Sequence, residues 1–365
     1  MWSPAYLSVA VIQVGSLIYC LNQCQNVRRS RTQGTHTMNA SELLNESSVV
    51  PYLQDCLVIS ANETPVIEVL TGGISNVVFG INTSQKDLVL KQALPELIVP
   101  STWRADQRRT IVEGRAIEVL HGLTPKNVPT LIYVDAEHFV LVMERISRNT
   151  HVWKDDLLDG HIDIQVAQNL GRLLGIWHRT TALDKHILNE FVEDRLFEQL
   201  RIAPFYREVA IRHSVISDRI HQLIVELEFS QTCLVHGDFS PKNILVDGSS
   251  DVIVLDFEVA HTGNPVFDLA FLLAHLFCKS RHFFDSREKS LLKTAAITFL
   301  ASYEESFLDT ADPSLGWHVA AIALARVDGV SRVHYLNFEA QEEVRSNCIE
   351  FLNRSESPTI NEMFS

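Results

Sequence analysis

Apolar residues fall into two regimes along this chain. Between residues 64 and 145 they come in short runs bounded by turn residues, and beyond 145 they recur mostly at helical spacing. The runs Val66-Ile-Glu-Val-Leu70, Val77-Val-Phe-Gly-Ile81 and Leu88-Val-Leu-Lys91-Gln92 have strand length, and Thr130-Leu-Ile-Tyr-Val134 with Phe139-Val-Leu-Val-Met143 reads as a hairpin. One helix is predicted among them, from about residue 106 to 120. Further on, Ile164, Ala167, Leu170, Leu174 and Trp177 share a helical face, and residues 193 to 229 continue that periodicity. A hairpin over residues 232 to 256 interrupts the helices, which resume near 266, 286, 314 and 339. The stretch Val266 to Phe277 is apolar on nearly all faces, so that helix is expected to be buried. A strand-rich part followed by a helical part predicts an α+β protein. The chain shows no internal repeat and no low-complexity region.

The interrupting hairpin carries the most specific chemistry. Leu234-Val-His-Gly-Asp-Phe-Ser-Pro-Lys-Asn243 has the His-x-Asp-x-x-x-x-Asn spacing of a phosphoryl-transfer loop. In such a loop Asp238 orients and deprotonates an attacking hydroxyl, and Asn243 holds a metal ion. A second metal carboxylate must arrive at a strand end, and Asp256 closes the run Val252-Ile-Val-Leu255. Asp247-Gly-Ser-Ser250 between the two strands is an ordinary hairpin turn.

Upstream residues add weaker signals in a consistent order. Thr71-Gly72-Gly73-Ile-Ser75-Asn76 is a small-residue turn whose backbone can approach phosphates, although plain turn chemistry explains it equally well. Lys91 ends the next strand, where a kinase places the lysine that contacts the α- and β-phosphates. Glu113 in the following helix is available to pair with it.

These residues resemble the aminoglycoside phosphotransferase and choline kinase superfamily of small-molecule kinases. The carriers are Leu70-Thr-Gly-Gly-Ile-Ser-Asn76, Val142-Met143-Glu144-Arg145, His236-Gly-Asp-Phe-Ser-Pro-Lys-Asn243 and Leu255-Asp-Phe-Glu-Val-Ala260 leading to Gly263-Asn-Pro-Val-Phe-Asp268-Leu-Ala270. They extend over roughly residues 45 to 350. Lys91-Gln-Ala-Leu-Pro95, Trp103 and the Arg-rich helix start look like methylthioribose kinases, but Asn243 and Phe257 depart from the residues usual there. The resemblance implies a two-lobed, protein-kinase-like fold, with residues 38–145 as the nucleotide-binding lobe and 146–365 as the catalytic and substrate-binding lobe. It also implies ATP and Mg²⁺, a hinge at Met143 and Glu144, and Asp268 bracing the catalytic loop. Spacing speaks against a protein kinase, since a step of only twelve positions from Asp256 to Asp268 leaves no room for an activation segment and Glu258 replaces the Gly of Asp-Phe-Gly.

A net charge of −14 makes nucleic acid an unsuitable partner and would favour a cationic substrate if the cleft shared it. The six Cys show neither zinc spacing nor a regular disulfide framework, which points to a reducing, cytoplasmic setting. Residues 1–37 stand apart. The apolar stretch Ala5 to Leu21 is followed by Arg28-Arg-Ser-Arg31, the wrong charge order for a cleaved signal, and it reads as a start-site artefact ahead of Met38 or a tail, with a membrane anchor as the alternative.

For the acceptor pocket the resemblance points to the helical lobe, with Glu258, His261, Trp317, Arg326, Asp328 and Arg332 as candidates. The expected activity is transfer of the γ-phosphoryl group of ATP to a hydroxyl of a small molecule: a methylthioribose-like sugar, an aminoglycoside or an amino alcohol. The alternatives are a catalytically silent nucleotide-binding protein and, behind it, a protein kinase.

Overall fold

The computed structural model describes residues 42–70, 75–96, 105–310 and 312–365. Among the described residues the first helix is α1 (Val49–Asp55). Residues 42–45 are non-helical, because Asn45 Oδ1 accepts from the Ser47 and Ser48 N–H groups (3.0 and 3.1 Å) and forms a turn ahead of the helix.

Five strands follow: β1 (Val66–Val69), β2 (Asn76–Asn82), β3 (Asp87–Ala93), β4 (Leu131–Asp135) and β5 (Val140–Glu144). They form one antiparallel sheet in the order β1-β2-β3-β5-β4, with helix α2 (Arg109–Leu123) inserted between β3 and β4. The period of two along β5 assigns its side chains to different cores. Val140 and Val142 pack with Phe79, Leu90 and the α1 residues Val49 and Leu53, whereas Leu141 and Met143 join Ala116, Ile117 and Leu120 of α2 in the large core that continues into the helical part. The sheet is therefore anchored to the rest of the molecule by its own alternation.

The remainder is mostly helical. Strand β6 (His151–Val152) leads into α3 (Trp153–Leu158), α4 (Ile164–Ala182) and α5 (Lys185–Glu190). The periodicity read across 193–229 is broken in the structure: α6 (Arg195–Phe197), a π-helix (Glu198–Arg207), α7 (Glu208–Arg212) and α8 (Ser217–Phe229) divide it. Pro204 lies inside the π-helix, where its missing N–H prevents an i→i−4 bond, so widening of the helix has a local cause.

Four short strands build the hairpin region. These are β7 (Cys233–Val235), β8 (Ile244–Val246), β9 (Val252–Val254) and β10 (His261–Gly263), with β10 paired to β7 and β8 between β6 and β9. Helices α9 (Val266–His282), α10 (Ser286–Phe307), α11 (Leu315–Asp328), α12 (Phe338–Asn353) and α13 (Ile360–Met363) complete the chain. All of α9 except its last residue is buried, as the largely apolar stretch Val266 to Phe277 predicts. Close packing of α4 on α10 depends on Gly171, where a Cβ would lie 2.2 Å from the Phe299 carbonyl oxygen. Among the described residues no helix is long and apolar enough to cross a membrane, and Cys56, Cys233, Cys278 and Cys348 are free thiols. The apolar stretch Ala5 to Leu21 lies outside the described residues.

Candidate active site

Strand β7 delivers the chain into a loop that is held from below. The backbone N–H groups of His236 and Gly237 donate to the two carboxylate oxygens of Asp268 at 2.7 and 2.9 Å, and His178 Nε2 lies 3.2 Å from the same group. Asp268 belongs to the first turn of α9, where the helix dipole favours an anion. Burial opposes its charge, but the hydrogen bond and charge of His178, followed by His236, hold its pKa below the usual carboxylate range. Asn264 Oδ1 accepts from the Val266 N–H (3.0 Å) and so caps this turn. Gly237 has φ +76°, and a Cβ there would meet the Val259 carbonyl oxygen at 2.6 Å, so the loop needs glycine twice over.

Asp238 is buried at the bend of this loop. Its Oδ2 is shared by Arg201 Nη2 (3.1 Å), from the π-helix, and Lys242 Nζ (2.9 Å). Burial alone would raise its pKa, but Arg201 and then Lys242 more than offset this and keep it lowered. Arg201 Nε also donates to the Gly237 carbonyl (2.5 Å), tying the π-helix to the loop. Asn243 Nδ2 donates to the Asp238 carbonyl (3.0 Å), leaving its Oδ1 without a protein donor among the described residues.

Asp256 follows β9 with φ +72°, a left-handed conformation that Asp tolerates better than most residues and that recurs at functional positions. Lys91 of β3 lies between two carboxylates, with Nζ 2.7 Å from Glu113 and 3.0 Å from Asp256. Burial works against the ammonium, but Asp256 and Glu113 raise its pKa above the ordinary lysine value. Asp256 is lowered despite its burial, principally by Lys91 and then Lys242. Glu113 is the weaker acid of the pair: burial outweighs Lys91, and with help from Asp256 pushes it up to about 7.

The lobes are also joined by a pair that sequence reading passed over. Arg109, fully buried at the first position of α2, donates through Nη2 to the carbonyls of Ser75 (2.6 Å) and Leu94 (2.7 Å), and its Nε lies 3.2 Å from Glu258. Asn76 Nδ2 reaches the same Glu258 at 3.5 Å. Burial, then the charge of Asp256, raises the Glu258 pKa. One signal was available: a cation in the first turn of a helix opposes the dipole and needs a specific partner. Arg201 left a fainter trace, as a lone charge in Leu200-Arg-Ile-Ala-Pro204.

The other sequence candidates divide. Met143 is buried opposite Val89 in the sheet, and Glu144, the next residue, exposes its side chain while its N–H bonds Thr130 O at 2.9 Å. Gly72, Gly73 and Trp103 lie outside the described residues. Arg326 interacts electrostatically with Asp238 and Arg201. Trp317 is engaged elsewhere: Arg219 stacks 3.7 Å from its ring, and its Nε1 donates to Phe351 O (3.2 Å). Asp328 is occupied by a bidentate pair with Arg345 (both 2.7 Å) and by His213 (2.9 Å). Arg332 bonds the Gly329 carbonyl. His261 stacks on Phe197 and lines a hollow of about 540 Å³ that none of Lys91, Asp238, Asn243 or Asp256 borders.

No group of three or more His, Cys, Asp or Glu among the described residues forms a protein-only metal cage. Asp256 and the free Oδ1 of Asn243 are hard oxygen donors, the set Mg²⁺ accepts when nucleotide phosphates and water supply its other ligands.

Comparison with solved structures places this arrangement in the kinase-like fold. The amicoumacin kinase hAmiN, solved with AMP-PNP, Ca²⁺ and Ami, superposes with a TM-score of 0.54 at 13% identity, covering 86% of this chain and 98% of that one. A Ralstonia eutropha JMP134 protein provisionally described as an aminoglycoside phosphotransferase gives 0.53 at 14% identity, covering 87% and 97%. The model of the phosphotransferase enzyme family matches residues 66–303, and the chain belongs to that family. Methylthioribose kinase of Bacillus thuringiensis (strain Al Hakam) is 24% identical over 264 residues, which cover 64% of this chain and 65% of that protein. The enzyme of the same name from Bacillus mycoides (strain KBAB4) is 25% identical over 263 residues. The match spans just under two thirds of the length of these relatives.

Proposed function

We propose that this protein is a small-molecule kinase that transfers the γ-phosphoryl group of ATP to a hydroxyl, with residues 38–145 and 146–365 as its two lobes. One observation carries the reading: Lys91, Glu113 and Asp256 form a single buried ion cluster beside a loop that presents Asp238 and Asn243. These side chains come from β3, α2, the end of β9 and the loop after β7, so the fold assembles in space what the chain holds far apart.

Lys91, oriented by Glu113, neutralises charge on the α- and β-phosphates, and the Ser75 backbone is held by Arg109. Asp256 and Asn243 hold Mg²⁺, which when bound screens the phosphate charge. Met143 and Glu144 form the hinge edge of the nucleotide pocket. Asp238 accepts a hydrogen bond from the acceptor hydroxyl and aims its oxygen at the γ-phosphorus. As the new P–O bond forms, the bond to the β-phosphate oxygen breaks, ADP leaves, and the hydroxyl proton passes to Asp238 and then to solvent. Because Arg201 and Lys242 lower the basicity of Asp238, orientation is its main contribution and proton transfer is late, which suits a loose transition state.

The 24% identity to methylthioribose kinases makes a sugar-class alcohol the first acceptor to test. The test is ADP formation with Mg²⁺ and ATP against thiosugars, other sugars, amino alcohols and aminoglycosides, with Asp238→Asn as the blank. Acceptor-dependent turnover abolished in that variant is expected. Equal turnover by a folded, ATP-binding Asp238→Asn protein would refute the assignment.

A further inference from the structure

The net charge of the chain is misleading about the site. Around Asp238 and along α9 stands a group of basic side chains drawn from four elements. Arg201 and Lys242 both contact Asp238 Oδ2. The Arg201 guanidinium lies 5.5 Å from the centre of the Phe271 ring, and one turn along α9 the His275 ring is 5.4 Å from Phe271. One turn further, Lys279 is 1% exposed, and its ammonium lies 5.1 Å from the Tyr335 ring. Arg326 of α11 completes the group, 5.7 Å from the Phe205 ring, and its charge acts on Arg201, Asp238 and Tyr335.

Among the described residues Asp238 is the one carboxylate in contact with this group, and Arg201 and Lys242 already share it. Among the described residues Lys279 and Arg326 have no carboxylate within ion-pair distance. Asp155, the acid that reaches Lys279 electrostatically, is paired with Lys154 at 3.3 Å. Two donors in the same place are unused: Arg326 Nε and Tyr335 Oη are buried without a hydrogen-bond partner. A buried cation without a counter-ion and a buried donor without a partner are both unfavourable, so this arrangement calls for an anion from outside the chain. The charges register on their neighbours. His275, already disfavoured as a cation by burial, is driven further down by Arg326, Lys279, Lys242 and Arg201, and burial brings Lys279 down to about 7.

We infer that the phosphate acceptor is itself an anion, an alcohol carrying a carboxylate or phosphate that docks among Lys279, Arg326 and Tyr335 while its hydroxyl meets Asp238. The inference rests on the kinase reading above and narrows it, turning away from choline-like amines and aminoglycosides. The same cations that would repel an ammonium group hold an acid group at one end of the acceptor.

The test compares acceptors that share one hydroxyl scaffold: a neutral sugar, its sugar acid, its sugar phosphate and its amino sugar, with Mg²⁺ and ATP and the full chain. The acid or the phosphate is expected to show at least a tenfold higher kcat/KM than the neutral sugar, with the amino sugar lowest; which of the two leads identifies the anion. Lys279→Met and Arg326→Gln are expected to raise KM for the anionic acceptor tenfold or more with a smaller change in kcat. A second readout does not need turnover. With the nucleotide site filled by Mg²⁺ and AMP-PNP, inorganic sulfate should raise Tm saturably in the wild type and not in Lys279→Met, which replaces a buried charge by an apolar chain and is expected to fold. Preference for the neutral or amino sugar overturns the inference and leaves the kinase assignment standing. Sulfate stabilisation that depends on Lys279 without turnover on any acceptor supports the anion site and counts against the kinase assignment. Sulfate stabilisation equal in wild type and Lys279→Met overturns the site.

Discussion

Arg109 Nε and Glu258 Oε2 lie 3.2 Å apart and connect the strand-rich part to the segment after β9. The arginine holds the backbone of Ser75, and the glutamate stands two residues after the metal-site candidate Asp256. Arg109→Met strands a buried carboxylate and is expected to cost ~3–5 kcal/mol, the usual penalty for breaking a buried pair from one side. Chemical denaturation would measure it, together with a rise in KM for ATP; an unchanged midpoint and KM would remove Arg109 from this role.

Removing the Lys91 charge leaves Asp256 and Glu113 facing each other without a cation. Lys91→Met is expected to lower kcat/KM for ATP by about 10²-fold or more, since transition-state charge stabilisation of this kind is worth ~3 kcal/mol. The folded variant should also show a raised Glu113 pKa, readable by carboxylate NMR. A variant with wild-type kinetics would separate the ion cluster from catalysis.

Asp256→Asn keeps an oxygen donor but loses the charge. Its expected signature is a Mg²⁺ requirement shifted to higher concentration, with activity partly restored by excess metal. Loss of activity that is indifferent to Mg²⁺ would assign Asp256 to positioning Lys91 alone.

Acid should expose the brace under the loop. The folded-state pKa of Asp268 is depressed, so its stabilisation is complete above the unfolded carboxylate range of about 4 and disappears as pH falls through the lower folded value. The Tm advantage of the wild type over Asp268→Asn is expected to shrink from pH 6 to pH 3, a trend that thermal scans at several pH values would check. The groups facing Asp268 are His178, His236, Cys233 and Tyr303.

Gly237→Ala combines a positive φ with a Cβ placed against the Val259 carbonyl. A loss of ~1–3 kcal/mol in unfolding free energy is expected from the conformational strain, with a larger proportional loss of activity because Asp238 is the next residue. Activity preserved in a destabilised protein would show that the loop recovers its geometry.

The strands and helices were readable where one period dominates. β5 alternates between two cores, and α9 is apolar on nearly all faces from Val266 to Phe277 because it is surrounded. The region 193–229 was not, because periodicity carries no record of how many residues close each turn once Pro204 removes a donor. Of the candidate site residues, Lys91, Glu113, Asp238, Asn243 and Asp256 are brought together, whereas Trp317 and Asp328 turn to Arg219 and Arg345. The first group sits in ordered motifs with a known chemical spacing. The second was chosen by residue type alone.

The sequence by itself determined the division into a strand-rich and a helical part, the phosphoryl-transfer loop and the order of its partners, since these depend on local period and short-range spacing. Tertiary structure alone decided that Arg109 reaches Glu258, that Arg201 and Lys242 share Asp238, and that Lys279, Arg326 and Tyr335 are brought together in a chain whose net charge is −14. Charge interactions fall off with distance in space and strengthen with burial, and neither quantity is written in the order of residues along a chain.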